Sequence, residues 1–274
     1  MSVFAPVAPE SAPPVIAKSG GIAGKIALGF WALFGLGLVY YLVSAYDPEL
    51  MAKYGPVYLQ GLWTTLSLVL LSFVFGAIIS IPVAFGRMAR NPLARGLSFA
   101  FVYFFRGTPL IAQIFLVYYG FGQFRGAFES IGLWWFFREA WYCAIFAISL
   151  NTAAYQAEIL RGAIESVPRG QWEGARALGL SRPVIFWKVI LPQAMKIAIP
   201  PTVGFSVQVV KGTSLTSIIG FVELSKAGTV VTNATFLPFT VYGYVALIYF
   251  ALCFPLSKSS QYLERKLNVA HRNH

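Results

Sequence analysis

Charge is scarce in this chain. Only 11% of its 274 residues are Asp, Glu, Lys or Arg, and the 10 acidic residues are outnumbered by 21 basic ones. Set beside 57% hydrophobic residues, that scarcity excludes an ordinary soluble domain and indicates an integral membrane protein. Cysteine is equally sparse. Cys143 and Cys253 both fall in long apolar runs, where a reduced thiol serves as a small apolar residue. Histidine occurs only as His271 and His274, in a charged terminal stretch without a ligand-spaced partner, so no metal site is expected. A nucleotide site is missing too. Gly20-Gly21-Ile22-Ala23-Gly24-Lys25 is one residue short of a phosphate loop, is followed by Ile26 instead of Ser or Thr, and precedes an apolar run. The chain is expected to hydrolyse no ATP itself, and no side chain is singled out as a chemical catalyst.

What is present in abundance is apolar sequence. Segments near 26–46, 58–86, 96–121, 140–163, 194–219 and 237–257 are each long enough to cross a hydrocarbon core of about 30 Å. The formal charge of +11 raises the question of a nucleic-acid partner, and the placement of the charges answers it. With the N-terminus inside, Lys18, Lys25, Arg87, Arg90, Arg95, Arg161, Arg169, Arg176, Arg182, Lys188, Lys196, Lys258, Arg265, Lys266 and Arg272 all lie on the inner side. Lys53, Arg125, Arg138 and Lys226 lie outside. This is the asymmetry of a cytoplasmic face against lipid, with both termini cytoplasmic and no nucleic acid.

Residues 1–25 carry Pro6, Pro9, Pro13 and Pro14 among small residues, a composition expected to form a flexible cytoplasmic tail. Residues 26–46 then read as a transmembrane helix. Val43-Ser44-Ala45 resembles a small-residue cleavage site, leaving a signal peptide as the alternative. The run is longer than a usual signal core and has the length of an uncleaved anchor.

One polar insert interrupts the membrane pattern, at about 165–192. Arg169, Glu173, Arg176, Arg182 and Lys188 cannot lie in hydrocarbon, yet the stretch is helix-forming. Pro168 should close the preceding helix, Gln171–Leu178 should form a new one, and Gly179 should reverse the chain in the left-handed conformation. Ser181 and Pro183 suit the start of a second helix, expected to run to Ile190 and to be broken by Pro192. Trp172, Ala175 and Leu178 share one side of the first helix, with Glu173, Arg176 and Arg169 on others, so one face is expected buried and another charged. Either an ordinary structured loop or a docking surface follows.

The run Glu173-Gly174-Ala175-Arg176-Ala177-Leu178-Gly179, with Ile190-Leu191-Pro192 downstream, resembles the EAA loop of ABC importer permeases. Gly174 stands where that pattern has its first Ala, at a cost of about 1 kcal/mol in helix propensity. Arg106-Gly107-Thr108-Pro109-Leu110, Leu150-Asn151-Thr152-Ala153-Ala154-Tyr155 leading to Glu158-Ile159-Leu160-Arg161-Gly162, and Lys211-Gly212-Thr213-Ser214-Leu215 resemble the polar amino acid branch, with its histidine, glutamine, arginine and opine importers. Gly212 departs from the Asp that many of those permeases carry after the Lys. The resemblance implies an all-α integral membrane protein of the type I importer fold. Its five-helix permease domain would cover about 57–263, with the 26–46 helix as an added anchor and 264–274 as a cytoplasmic tail. It further implies that Trp172, Glu173, Ala175, Arg176 and Gly179 form a coupling helix that docks on an ATP-binding subunit.

The residues themselves indicate a polar pathway. Asn151, Tyr155, Glu158 and Gly162 recur at i, i+4, i+7 and i+11, which makes one stripe on a spanning helix, and Thr152 adjoins it. Polar groups inside a span face a bundle interior or an aqueous cavity, although Glu158 paired with Arg161 is equally consistent with a structural role. Arg106-Gly107-Thr108-Pro109 should interrupt its helix because proline lacks a backbone donor, and Gln113 lies just beyond. Lys211-Gly212-Thr213-Ser214 is a second candidate interruption, with Lys211 free either to bind a carboxylate or to snorkel outward. The candidate pathway is therefore Arg106, Thr108, Gln113, Asn151, Thr152, Tyr155, Glu158, Lys211 and Ser214.

With the resemblance, these features imply a bacterial inner-membrane permease subunit that couples ATP hydrolysis elsewhere to alternating access for polar amino acids or opines. The implied partners are two ATP-binding subunits holding ATP and Mg, a second permease that is a paralogue or another copy, and a periplasmic or extracellular substrate-binding protein. A secondary transporter or channel driven by an ion gradient is the competing reading, but no internal repeat is evident and the polar helix pair would lack a purpose. A plain membrane anchor explains the basic side and leaves the Asn151–Tyr155 stripe unaccounted for.

Overall fold

The structure, a computed structural model, describes residues 22–272. It is helical throughout, with no strand among the described residues. Two compact units divide at Tyr46 and Asp47. The first contributes α1, Ile22–Ser44, about 35 Å long and apolar on every side. Residues 22–25, expected in the tail, already belong to this helix; the rest of the expected tail lies outside the described residues.

The second unit opens with α2, Pro48–Arg87, which begins about ten residues before the expected span. The early start has a local cause. Asp47 accepts hydrogen bonds from the N–H groups of Glu49 and Leu50, and Pro48 brings its fixed φ to the first helical position. One face of α2 carries Gly61, Thr65, Leu68, Ser72, Gly76, Ser80 and Ala84, all buried at helical spacing. Gly61 and Thr65 meet Leu224, whereas Gly76 allows close approach to α7, Ala140–Glu165, along the longest interface of the bundle. At Gly76 an added Cβ would lie 2.6 Å from Thr152 Cγ2.

The 96–121 segment is not one straight span. α3, Pro92–Gly107, ends at Thr108, and α4, Leu110–Phe115, leaves at 108° and runs on as a π-helix over Leu116–Gly120. Short α5, Arg125–Ser130, and α6, Trp134–Phe137, precede α7. Phe121, Phe128 and Phe137 pack there with Trp134 and Phe136 against Cys143 and Ala147.

After α7 come α8, Arg169–Ala177, and α9, Arg182–Val184, which passes into a π-helix over Ile185–Ile190 and then α10, Leu191–Thr213. Pro192 does not break the chain as expected. It sits in the first turn of α10, where a missing N–H costs little, with the π-turn before it. Nor does Lys211–Ser214 interrupt the helix. The axis tightens to 3-10 over Ser214–Ile219, and the 50° break falls later, at Gly220–Glu223, before α11, Leu224–Thr235. Gly220 takes φ +101°, open to glycine at little cost. α12, Pro238–Arg272, closes the chain and remains helical through most of the stretch expected as a tail.

Among the described residues, four helices are long and apolar enough to cross a membrane, and up to six spans result if each bent pair counts as one. Large apolar side chains such as Trp63, Leu70, Ile78, Leu97 and Phe250 are exposed on the second unit, which suits contact with lipid.

Candidate functional site

The break between α3 and α4 organises the site. Pro109 has no N–H, so the carbonyl of Phe105, four residues earlier, loses its helical partner. Two side-chain amides take its place. Gln113 Nε2 and Asn151 Nδ2 both donate to Phe105 O at 2.9 Å, the second from α7. Gln113 Nε2 also reaches Thr108 O at 3.1 Å and Thr108 Oγ1 at 2.8 Å, while its Oε1 accepts from Asn151 Nδ2 at 3.1 Å. Non-helical backbone within a membrane is stable only when its polar groups are satisfied in this way.

This junction walls a cavity of about 240 Å³. Thr108, Pro109 and Leu110 line it from the break, Ile148, Asn151, Thr152 and Tyr155 from α7, and Phe205, Gln208 and Val209 from α10. The Tyr155 ring stacks on Phe205 with centroids 4.8 Å apart. The Arg106 guanidinium also lies over this ring, 5.2 Å from the Tyr155 centroid.

Beyond Tyr155, Glu158 is the hub of an ion network. Its Oε1 accepts from Arg87 Nε at 3.0 Å and Arg161 Nε at 3.1 Å, and its Oε2 from Arg161 Nη2 at 2.9 Å. Arg106 Nη1 stands 3.8 Å from the same Oε2, outside hydrogen-bond distance. Glu165 engages Arg161 from the next turn. Of the three arginines around Glu158, Arg106 is the loosely held and half-exposed one.

The structure thus gathers Thr108, Asn151, Thr152 and Tyr155 at one cavity, places Gln113 behind it as a brace, and sets Arg106 and Glu158 beyond one wall. Lys211 and Ser214 do not join them. Lys211 is exposed, and Ser214 Oγ donates back to Lys211 O. Phe205, Gln208, Arg87 and the buried Glu223 carry no local motif in the sequence. Only an acidic residue in an apolar run after a glycine could have pointed to Glu223.

At the end of the bundle where α7 finishes, α8 is clamped to the core on one side only. Ala175 is buried, and Trp172 packs with Ala163, Ile164, Val167, Ile185 and Ile190. Gln193 Nε2 donates to Gln171 Oε1 at 3.3 Å. Gly179 adopts φ +71°, with Gly179 N–H donating to Arg176 O and Leu180 N–H to Ala175 O, a left-handed helix ending. Glu173 and Arg176 are exposed. Leu178, expected on the buried side, is 79% exposed, because the left-handed turn lifts the helix end off the core.

The family model described as binding-protein-dependent transport system inner membrane component matches residues 74–269. The nopaline transport system permease protein NocM of Agrobacterium fabrum is 40% identical over 222 residues, covering 81% of this chain and 92% of that protein. The octopine transport system permease protein OccM of Rhizobium meliloti is 37% identical, with 76% and 85% covered. Among solved structures, an amino acid ABC transporter crystallised with histidines aligns with TM-score 0.71 and 30% identity over 81% of this chain and 99% of that one. The methionine transporter MetNI shares the fold at TM-score 0.63, with 20% identity over 81% of this chain and 99% of its own. The chain therefore belongs to the binding-protein-dependent transport system inner membrane components, as a multi-pass ABC transporter permease subunit whose ATPase is a separate subunit.

Proposed function

We propose that this chain is the permease subunit of a bacterial importer for polar amino acids or opines, and that the cavity at Asn151 and Tyr155 lies on its pathway. The observation that carries this reading is a pair of surfaces joined through one core. α8 is anchored by Trp172 and Ala175 to the cluster that contains Ile164 of α7 and Ala194 of α10. The same two helices, α7 and α10, line the cavity. A push on the exposed face of α8, at Glu173, Arg176 and Leu178, is thereby transmitted to the cavity walls by packed side chains.

In this reading two ATP-binding subunits hold ATP and Mg and draw the α8 helices together as they close. A second permease, paralogous or identical, completes the pathway, and an external binding protein delivers the cargo. The basic excess at the α8 end faces the cytoplasm, with both termini on that side of the inner membrane. Relatives named for nopaline and octopine support an opine or polar amino acid as cargo.

The test is co-purification followed by uptake. An ATPase should come down with this chain in stoichiometric amount. The double substitution Glu173→Ala, Gly179→Val should abolish ATP-driven uptake of labelled amino acid or opine while membrane insertion stays normal. Unchanged uptake in that variant would count against the reading, and so would proton-driven uptake by this chain alone.

A further inference from the structure

The amide of Asn151 has only one orientation open to it. Phe105 O is an obligate acceptor, and Gln113 has its own Nε2 committed to Phe105 O, Thr108 O and Thr108 Oγ1, so Gln113 must present Oε1 to Asn151. Flipping either amide would set carbonyl oxygen against carbonyl oxygen. Both hydrogens of Asn151 Nδ2 are consequently spent, on Phe105 O and Gln113 Oε1. What Asn151 has left to offer the cavity is an acceptor, Oδ1. The Thr108 hydroxyl has no donor left either, since its hydrogen goes to Phe104 O at 2.7 Å while it accepts from Gln113.

The cavity lining contains no carboxylate. A cation stands against one lining residue: Arg106 covers Tyr155, one helical turn from Asn151, roughly 6 Å along the axis. Its grip on Glu158 is weak, because Arg87 and Arg161 already occupy both oxygens of that carboxylate. An acceptor on one side and a loosely engaged guanidinium on the other match a ligand that carries an N–H cation beside a carboxylate. They reject one that has lost either group.

We propose that Asn151 Oδ1 and Arg106 read the amino and carboxylate groups of the cargo's amino acid head, with Gln113 as the positioning residue that fixes Asn151. The inference rests on the pathway reading above and deepens it. Charge recognition is confined to the head group, because the rest of the lining, Pro109, Leu110, Ile148, Val209 and the uncharged polar Thr152 and Gln208, carries no charge. The primary ammonium of an amino acid and the secondary ammonium of an opine satisfy the same acceptor.

The experiment measures equilibrium binding to the purified permease–ATPase complex in detergent without the external binding protein, whose own selectivity would mask the effect. The probes are tritiated L-arginine, L-histidine, octopine and nopaline. The tightest binder is then competed with its decarboxylated analogue and with its N-acetyl derivative. Wild-type complex should bind the probe and ignore both competitors. Arg106→Gln should weaken probe binding at least tenfold and abolish discrimination against the decarboxylated analogue alone, whereas Arg106→Lys should stay within about threefold of wild type. Asn151→Ala should abolish discrimination against the N-acetyl derivative alone. Gln113→Leu, which removes no group offered to the cargo, should reduce that same discrimination several-fold. Full discrimination retained in Arg106→Gln and Asn151→Ala overturns the proposal and leaves the pathway reading intact. A uniform loss of affinity with both discriminations unchanged also overturns it. If the wild-type complex binds none of the probes, the pathway reading fails first and takes this inference with it.

Discussion

The hydroxyl of Thr65 in α2 accepts a hydrogen bond from the backbone N–H of Leu224 at 3.2 Å, across 159 positions. This contact docks the second broken span on the first long one. Glu223, fully buried beside it, caps α11 by accepting from Ser225 N–H at 2.9 Å and Lys226 N–H at 2.7 Å, and from the Tyr249 hydroxyl of α12 at 3.0 Å. Replacing Glu223 with Ala orphans two backbone donors in the interior and leaves the Tyr249 hydroxyl its longer contact with Ser225 Oγ at 3.3 Å. Glu223→Ala should therefore cost about 2–4 kcal/mol, measured as a lowered Tm of the detergent-purified protein. Glu223→Gln, which keeps an acceptor oxygen, should cost less than half of that.

Gly76 marks the closest approach of α2 to α7. A Cβ there meets Thr152 Cγ2 at 2.6 Å, Thr152 Cβ at 2.9 Å and the backbone N of Ala153 at 3.3 Å. Gly76→Ala should destabilise by about 1–3 kcal/mol through overpacking. Thr152→Ser removes the nearest of those atoms, so the double variant should recover part of the loss in a double-mutant cycle of thermal unfolding. Additive effects would show that α2 shifts away as a whole.

The parts of the site that were legible in the sequence are those made by neighbours along one helix or by proline. Asn151 and Tyr155 share a face because helical spacing requires it, and the break at Thr108–Pro109 follows from the missing N–H. Gly179 was legible for the same reason, since only a left-handed residue reverses a helix end so tightly. Contacts between distant segments were not legible. Arg161 could be assigned to Glu158 at i+3, whereas Arg87, 71 positions away, required the packing of α2 on α7. Phe205 and Gln208 reach the cavity because α10 lies beside α7, which no local pattern encodes. Lys211 and Ser214 lie outside the cavity lining, and which way a polar residue in an apolar run points is not encoded locally.

Glu158 should be worth far more to the fold than any one of its arginines suggests. It is 16% exposed and Arg87 15%, so little water screens their contact. Glu158→Ala leaves three guanidinium groups facing one another and should cost about 3–5 kcal/mol. Arg87→Gln should also be damaging but less so, because Arg161 still pairs with Glu158. Arg106→Gln removes a group 43% exposed and 3.8 Å from its carboxylate, and should change stability by less than about 1 kcal/mol. Thermal unfolding of the three variants in one detergent checks the order. A large loss in Arg106→Gln would mean that this arginine is a structural member of the network.

Leu178 separates stability from coupling. It is 79% exposed although apolar, at the tip of a helix otherwise clamped by Trp172 and Ala175, so its truncation removes almost no intramolecular packing. Leu178→Asp should leave the unfolding free energy within about 0.5 kcal/mol of the parent. If the tip inserts into a groove of the ATPase, the buried charge should weaken the permease–ATPase complex on the order of tenfold or more. Trp172→Ala should act in the opposite way, lowering Tm by loosening α8 from Ile164 and Ile185. Quantitative co-purification of the ATPase beside thermal unfolding distinguishes the two. Wild-type ATPase recovery with Leu178→Asp would place the docking surface elsewhere on the helix pair.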